Sequence, residues 1–287
     1  LIVCGTTGEP STMSRAEKES AIEFVVKRAA GRVPVFAGTG GNNTAEVIDF
    51  SMRAEELGAD GLLMVTPYYN KTTQAGLIAH FNAVADRVNL PIILYNVPSR
   101  TGLNLLPATF ARLCEHKNIR GIKEASANIE QITELARLYA QHSPAAICYA
   151  MGVTQHANGV DTVRSCCNLA LLTGNIGVPG GGINPLRGQN NVQGACDMGA
   201  LPDVLPGYQK VADPAAREKF AAAWGHPLPD RPGLAVTDMF PAILEGRIKA
   251  LYVMGENPAL SDPDIGHVRE ALSRLELLVV QDIFPTD

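Results

Sequence analysis

ILYNVPSRTG at residues 93–102 and RGIKEAS at residues 120–126 frame the stretch from which the fold and chemistry of this chain are read. Residues 91–95 and 119–123 are short apolar runs of strand length, and each closes on a reactive side chain, Tyr95 and Lys123. Burial disfavours the ammonium form of a lysine and lowers its pKa, so a lysine at the end of a buried strand can become a neutral amine able to form a Schiff base. Taken alone, Lys123 is read more simply as a side chain whose ammonium group snorkels to water. Its neighbours have to decide.

Working outward, residues 1–4, 33–38 and 61–66 are further apolar runs of strand length. Between the strands lie helix-period segments at 14–30, 44–57, 73–88, 107–114 and 129–138. Near-continuous apolar strands separated by amphipathic helices imply a parallel sheet buried on both faces, either doubly wound or closed as a barrel. Ser14 with Glu17 has the spacing of a capping box, and Gly31 and Gly58 stand at helix ends. Thr6 and Thr7 follow the first strand, Tyr68 and Tyr69 the third, Tyr95 ends the fourth, Arg100 lies just beyond it, and Lys123 ends the fifth. All of these are C-terminal strand ends. A (β/α) barrel collects such ends at one mouth, whereas an open sheet concentrates its ligand at one switch point. That convergence favours a chemical role for Lys123. The glycines of AGTGGNNT are read as a tight strand-to-helix loop rather than a phosphate cradle.

The chain has 287 residues, 46% hydrophobic and 18% charged, with a formal net charge of −5, as in an ordinary soluble and mildly acidic globular protein. Nothing basic invites nucleic acid or an anionic membrane surface, and no apolar run reaches the ~20 residues of a membrane span. The six cysteines form no CxxC pair, zinc pattern or iron–sulfur ligand set, and are read as reduced thiols of a cytoplasmic protein. LIVCGTTGEP is not a signal peptide; the chain starts inside a strand and stops abruptly, so both ends are expected to be truncations.

With these residues placed, GTTGE, AGTGGNNTAE, TPYYNK, LYNVPSRTG and GIKEAS, in this order and spacing, resemble 4-hydroxy-tetrahydrodipicolinate synthase, formerly dihydrodipicolinate synthase, of the class I aldolases similar to N-acetylneuraminate lyase. The resemblance covers about residues 1–135. It implies that Lys123 forms a Schiff base with pyruvate while Tyr95 shuttles protons, assisted by Thr7 and by Tyr69 from a neighbouring subunit. It further implies that Thr6 and Thr7 hold the pyruvate carboxylate and that Arg100 meets the incoming aspartate semialdehyde. No cofactor is implied, and a homo-oligomer is implied if this half assembles. The residue types suit such work: an amine nucleophile, a phenol as acid and base, a guanidinium for a carboxylate. By the same alignment of motifs, the family's first, seventh and eighth strands are missing. The expected fold is thus an incomplete TIM (β/α)8 barrel with five of eight βα units, and five strands cannot close, which leaves both sheet edges unpaired.

After residue 138 the pattern changes. Residues 145–150 are strand-like and 160–172 helix-like, followed by some ~60 residues rich in Gly, Pro and Asn, a length that is improbable as structureless loop in a compact domain unless it wraps a large ligand. Helix and strand resume at 239–244, 250–254, 268–275 and 277–281. YAMGVTQH, LLTGNIGVPGGGINPLRGQNNVQGACDMGALP, YVMGENPALSDPD and VVQDIFPT resemble the catalytic subunit of molybdenum or tungsten formate dehydrogenases, in the dimethyl-sulfoxide-reductase superfamily. This resemblance, over about residues 139–287, implies an α/β fragment of a molybdopterin oxidoreductase with formate as its ancestral substrate. It implies that Met151, Gly152, Gln155, Gly188, Gln189, Gly255, Asn257, Gln281 and Asp282 contact a molybdopterin guanine dinucleotide carrying Mo or W. Arg187 would lie beside the metal. The family's metal-ligating cysteine or selenocysteine and its N-terminal iron–sulfur cysteines have no counterpart here, so stable binding of the cofactor is not expected, and His156 is read as an ordinary polar histidine.

The two families share neither substrate nor pathway, and no Gly/Ser or Pro-rich linker separates them at ITELARLYAQHSPAAICYAMG. The chain is therefore read as a chimera with domains at 1–138 and 139–287. Three functions follow: a lyase fragment that retains its nucleophile, an oxidoreductase fragment that lacks its metal ligand, and an inactive polypeptide. The third ranks first for the chain as it stands, and the lyase ranks first for the ancestry of its catalytic residues. The strand at 145–150 is also expected to be able to pair beside 119–123 in a pseudo-barrel.

Overall fold

The computed structural model describes residues 1–189, 191–262 and 264–285. Contacts divide the chain into two compact units, Leu1–Gln189 and Asn190–Asp287. This division by packing falls beyond the boundary at 138/139 expected from the motifs, at Gln189/Asn190 instead.

In the first unit, β1 (Ile2–Val3), α1 (Arg15–Ala29), β2 (Phe36–Gly38), α2 (Thr44–Glu56), β3 (Gly61–Val65), α3 (Gln74–Ala85), β4 (Ile92–Asn96), α4 (Pro98–Thr101), α5 (Pro107–Leu113), β5 (Ile119–Glu124) and α6 (Ile129–Ala140) follow one another. The five strands form one parallel sheet in the order β1-β2-β3-β4-β5, so strand order in space equals order in sequence. That is the arrangement of a run of barrel units: each helix returns the chain to the same sheet edge, and every C-terminal strand end points the same way. The expected elements form, and Ser14 and Glu17 close the capping box, with Glu17 N–H donating to Ser14 Oγ at 3.3 Å and Ser14 N–H to Glu17 Oε2 at 2.7 Å.

A large hydrophobic cluster and a small one of Leu63, Tyr95 and Val97 hold this sheet. Leu62, Met64, Ile92 and Leu94 from the strands meet Leu77, Phe81 and Val84 from α3, all fully buried, with Ile22 and Val47 from the flanking helices. Gly40 is required for close approach: a Cβ there would stand 2.4 Å from the backbone nitrogen of Val65, so the loop after β2 can lie on β3 only as glycine. This agrees with reading AGTGGNNT as a packing loop.

His80, on α3, is 7% exposed; its Nδ1 pairs with Thr44 Oγ1 at 2.8 Å, its Nε2 is buried without a partner, and burial pushes its pKa below the ordinary histidine value. Its folded pKa is thus lower than its unfolded one of about 6.5, so the stability it permits is present above that pH and is lost as pH falls toward the folded pKa. Urea unfolding of the first unit should therefore weaken below about pH 6.5, and His80→Gln should flatten that slope.

The remainder of the first unit contains β6 (Ala146–Tyr149), α7 (Met151–Thr154), α8 (Gly159–Leu172) and β7 (Gly182–Pro185). Here the pseudo-barrel expectation is corrected. β6 does not join β5; it pairs in parallel with β7, Ala146↔Gly182 to Tyr149↔Pro185, in a sheet of its own. Ala145 N–H is likewise taken by Asn175 Oδ1 at 2.9 Å, so the hydrogen-bonding groups of this segment are drawn toward its own sheet, and β5 stays the last strand of the large one. None of the buried residues of the main cluster comes from beyond Ile119, although Ile122, Leu135 and Leu138 pack against it.

The second unit contains α9 (Val192–Asp197), the hairpin strands β8 (Val204–Leu205) and β9 (Gln209–Lys210), α10 (Pro214–Trp224), α11 (Val236–Leu244), β10 (Ala250–Met254), α12 (Pro258–Ser261), α13 (Ile265–Ser273) and β11 (Leu277–Gln281). The Gly- and Pro-rich stretch is thus not structureless. β7, α9, the hairpin and an 11-residue helix, α10, lie within it, and α10 is started by Asp213 capping Ala215 N–H with Pro214 in the first turn and stopped by Gly225 at φ 69°. Phe240, Ile243, Val268 and Ala271 form a small separate core. β10 and β11 pair in parallel, and the apolar residues Leu277, Leu278, Val279 and Val280 of β11 are 57, 41, 37 and 47% exposed.

Candidate active site

β4 and β5 end in register, Tyr95 opposite Lys123 and Asn96 opposite Glu124. Because side chains alternate along a strand, Tyr95 and Lys123 share one face and Asn96 and Glu124 the other. On the first face, Lys123 Nζ lies 4.2 Å from the centroid of the Tyr95 ring. Burial pushes the Tyr95 phenol above its ordinary pKa, the Arg100 charge acting against it, so the phenol is protonated at neutral pH. Burial also pushes the Lys123 ammonium below the usual lysine value. Lys123 as a residue is nevertheless exposed, on the last strand of its sheet. Water that reaches the amine limits the depression, and the ring beneath it favours the charged form. The pair is an amine held over the face of a protonated phenol.

The other expected residues are placed by the same sheet at greater distance. Thr6 and Thr7 lie in a 3-10 turn, Thr6–Gly8, directly after β1, and both are exposed. Four strand intervals separate β1 from β5, roughly 19 Å along the sheet at about 4.8 Å each, so pairing alone does not bring these hydroxyls to Lys123. Arg100 is exposed in α4. Tyr69 is 90% exposed with φ 65°, turned out to solvent rather than packed within its own chain.

The opposite face carries a group that sequence reasoning missed. Asn96, fully buried, donates from Nδ2 to Asn104 Oδ1 at 2.9 Å and to the Glu124 carboxylate at 3.1 and 3.2 Å, and accepts from Leu105 N–H at 2.9 Å. Gln131 of α6 donates to Glu124 Oε2 at 2.8 Å and to Leu105 O at 3.1 Å, and Ser126 N–H donates to Glu124 Oε1 at 2.6 Å. Their available signal was position: Asn96 and Glu124 each directly follow a reactive residue.

The residues expected to meet a pterin cofactor fall into two groups. Met151, Gly152 and Gln155 follow β6, and Arg187, Gly188 and Gln189 follow β7. These parallel strands bring them together, since a Cβ on Gly188 would lie 2.7 Å from Met151 Cε. Gly255 and Asn257 follow β10, while Gln281 ends β11 and Asp282 follows it; Gly255 N–H donates to Gln281 O at 2.8 Å. All ten lie at C-terminal ends of parallel strands, but only Met151 and Asn257 are half-buried and the rest are exposed. The first group belongs to the first unit and the second to the other. Among the described residues no cluster of His, Cys, Asp or Glu could hold a metal ion. Within each unit taken by itself, the largely exposed residues present do not make a site that fits the cofactor.

Comparison with known proteins finds both of the resemblances that the motifs carry. The sequence model of the dihydrodipicolinate synthetase family matches residues 1–149. The 4-hydroxy-tetrahydrodipicolinate synthase of Caldicellulosiruptor saccharolyticus is 62% identical over 138 residues, which is 48% of this chain and 47% of that protein. The F420-dependent formate dehydrogenase 1 subunit alpha of Methanococcus maripaludis is 58% identical over 158 residues, 55% of this chain and 23% of that protein. Formate dehydrogenase H of Escherichia coli is 53% identical over 171 residues, 59% of this chain and 24% of that protein. Among solved structures, a prophage protein of the dihydrodipicolinic acid synthase family from E. coli K12, in complex with pyruvate, superposes with a TM-score of 0.52 at 32% identity over 64% of this chain and 57% of that one. The lysine-bound synthase of Cyanidioschyzon merolae gives 0.51 at 38% identity over 64% and 56%. The chain thus spans about half the length of the synthases and about a quarter of the formate dehydrogenases that it matches.

Proposed function

Because the chain belongs, through residues 1–149, to the dihydrodipicolinate synthetase family, we propose that its first unit performs the opening step of that chemistry, addition of Lys123 to pyruvate. The observation that carries the reading is the amine of Lys123 at 4.2 Å from the Tyr95 ring, on paired strand ends. In this step the neutral amine attacks C2 of pyruvate, the nitrogen loses its proton, and the carbinolamine oxygen leaves as water after protonation. The iminium that remains links Nζ to C2. Tyr95 is the proton donor, held protonated by its burial. Proton loss from the methyl group then gives an enamine, which would condense with aspartate semialdehyde. Arg100 is assigned to the carboxylate of that second substrate and Thr6 and Thr7 to that of pyruvate, with Tyr69 acting across to a second copy of the chain.

Treatment with pyruvate and sodium borohydride, followed by intact mass and peptide mapping, tests this. A single reduced adduct on Lys123 is expected. No adduct, or adducts spread over surface lysines, would refute it. One observation favours a second reading, that the joined fragments are inactive: Lys123, Thr6 and Thr7 are all exposed, where a closed barrel mouth would exclude water. To the formate-dehydrogenase-like half we assign ancestry and no reaction.

A further inference from the structure

We propose that Glu124, on the outer face of β5, is a positioning residue that holds Lys123 against Tyr95 through its bonds to Asn96 and Gln131. This rests on the reading of Lys123 as the nucleophile. β5 is the last strand of its sheet, with β4 on one side and no strand on the other. The ladder to β4 carries a register shift near Ile92 and Ile93, so the strand is not held evenly along its length. At its C-terminal end the Glu124 carboxylate supplies the extra ties. It receives Asn96 Nδ2 from the neighbouring strand, Gln131 Nε2 from the following helix and Ser126 N–H from the loop between them. Asn104 bridges the same group, accepting from Asn96 at 2.9 Å and donating to Gln131 Oε1 at 2.9 Å, while Gln74 of α3 anchors Asn104 O at 2.8 Å. β4, β5, α6 and α3 are thereby tied around one carboxylate, and no cation pairs with it among the described residues.

A carboxylate accepts from all three donors at once, whereas an amide presents one acceptor and turns its N–H2 toward at least one of them. Glu124→Gln therefore loosens the end of β5 without changing its size. The groups around Lys123 on the other face are the Tyr95 phenol and, beyond it, the Arg100 guanidinium. Burial rather than any charge lowers the Lys123 pKa, so loosening should expose the amine further and raise it.

Competitive labelling of the full chain with acetic anhydride across a pH series, read by peptide mass, follows Lys123 without needing pyruvate. In Glu124→Gln the midpoint for Lys123 should rise toward that of an ordinary lysine, and each rise of one pH unit slows labelling near neutrality about 10-fold. The swapped variant Asn96→Asp/Glu124→Gln restores one carboxylate facing one amide and should bring the low midpoint back. An unchanged or lower midpoint in Glu124→Gln overturns the proposal, as does a folded swapped variant with an ordinary-lysine midpoint. If Glu124→Gln alone unfolds, the swapped variant decides by its midpoint; unfolding of both overturns the proposal, because the group would then hold the fold rather than the lysine. A low midpoint in the unaltered chain with no pyruvate adduct would refute the pyruvate reading alone.

Discussion

Lys123→Arg should abolish the borohydride-trapped pyruvate adduct altogether while leaving the chain folded. Arginine keeps the length and the positive charge and can sit over the Tyr95 ring as the lysine does. It cannot become a neutral amine, since its pKa exceeds about 12. A loss of all adduct mass, with an unchanged circular dichroism spectrum, assigns the chemistry to the nucleophile and not to its charge. Tyr95→Phe serves as the graded comparison: it removes the phenol hydroxyl and leaves the ring, and removal of a positioned acid costs about 100-fold or more in rate. An adduct that survives Lys123→Arg would place the reactive amine elsewhere and end the aldolase reading.

The largest expected effect on stability is that of Phe81→Ala. Phe81 is fully buried, where α3 lies on the sheet, and is flanked edge-to-face by His80 at 4.9 Å. Truncating such a ring removes its transfer free energy and leaves a cavity, together about 3–5 kcal/mol. The main cluster of the first unit and the cluster around Phe240, Ile243, Val268 and Ala271 share no residue. Denaturant unfolding followed by hydrogen exchange should therefore show two transitions, and Phe81→Ala should lower the midpoint of the first unit alone. A common shift of both transitions would mean that the two cores unfold as one.

Much of the first unit was legible because its strands are nearly continuous apolar runs and its helices start and stop on strong signals such as Ser14 with Glu17. Sequential order also puts Tyr95 and Lys123 at neighbouring strand ends. The polar group around Glu124 was not legible. Some of its partners lie 27 or 28 residues apart, as with Asn96 and Glu124 or Asn104 and Gln131, and each alone looks like a surface side chain. β7 was missed because GINP is short, polar and ends in proline, so nothing in it distinguishes a strand from a turn, and its pairing with β6 then removed the expected partner of β5. α10 did announce itself, by Asp213, Pro214 and Gly225, but the glycine- and proline-rich sequence around it outweighed those signals.

The apolar surface of β11 has a consequence for the life of the chain in a cell. Four consecutive aliphatic residues, Leu277 to Val280, stand open to solvent on a sheet of only two strands. Holdase chaperones and quality-control proteases recognise short aliphatic stretches of this kind, and anything that captures an open form draws the folding equilibrium toward it. The abundance of this polypeptide would then depend on triage through this exposed strand as well as on the stability of the larger sheet.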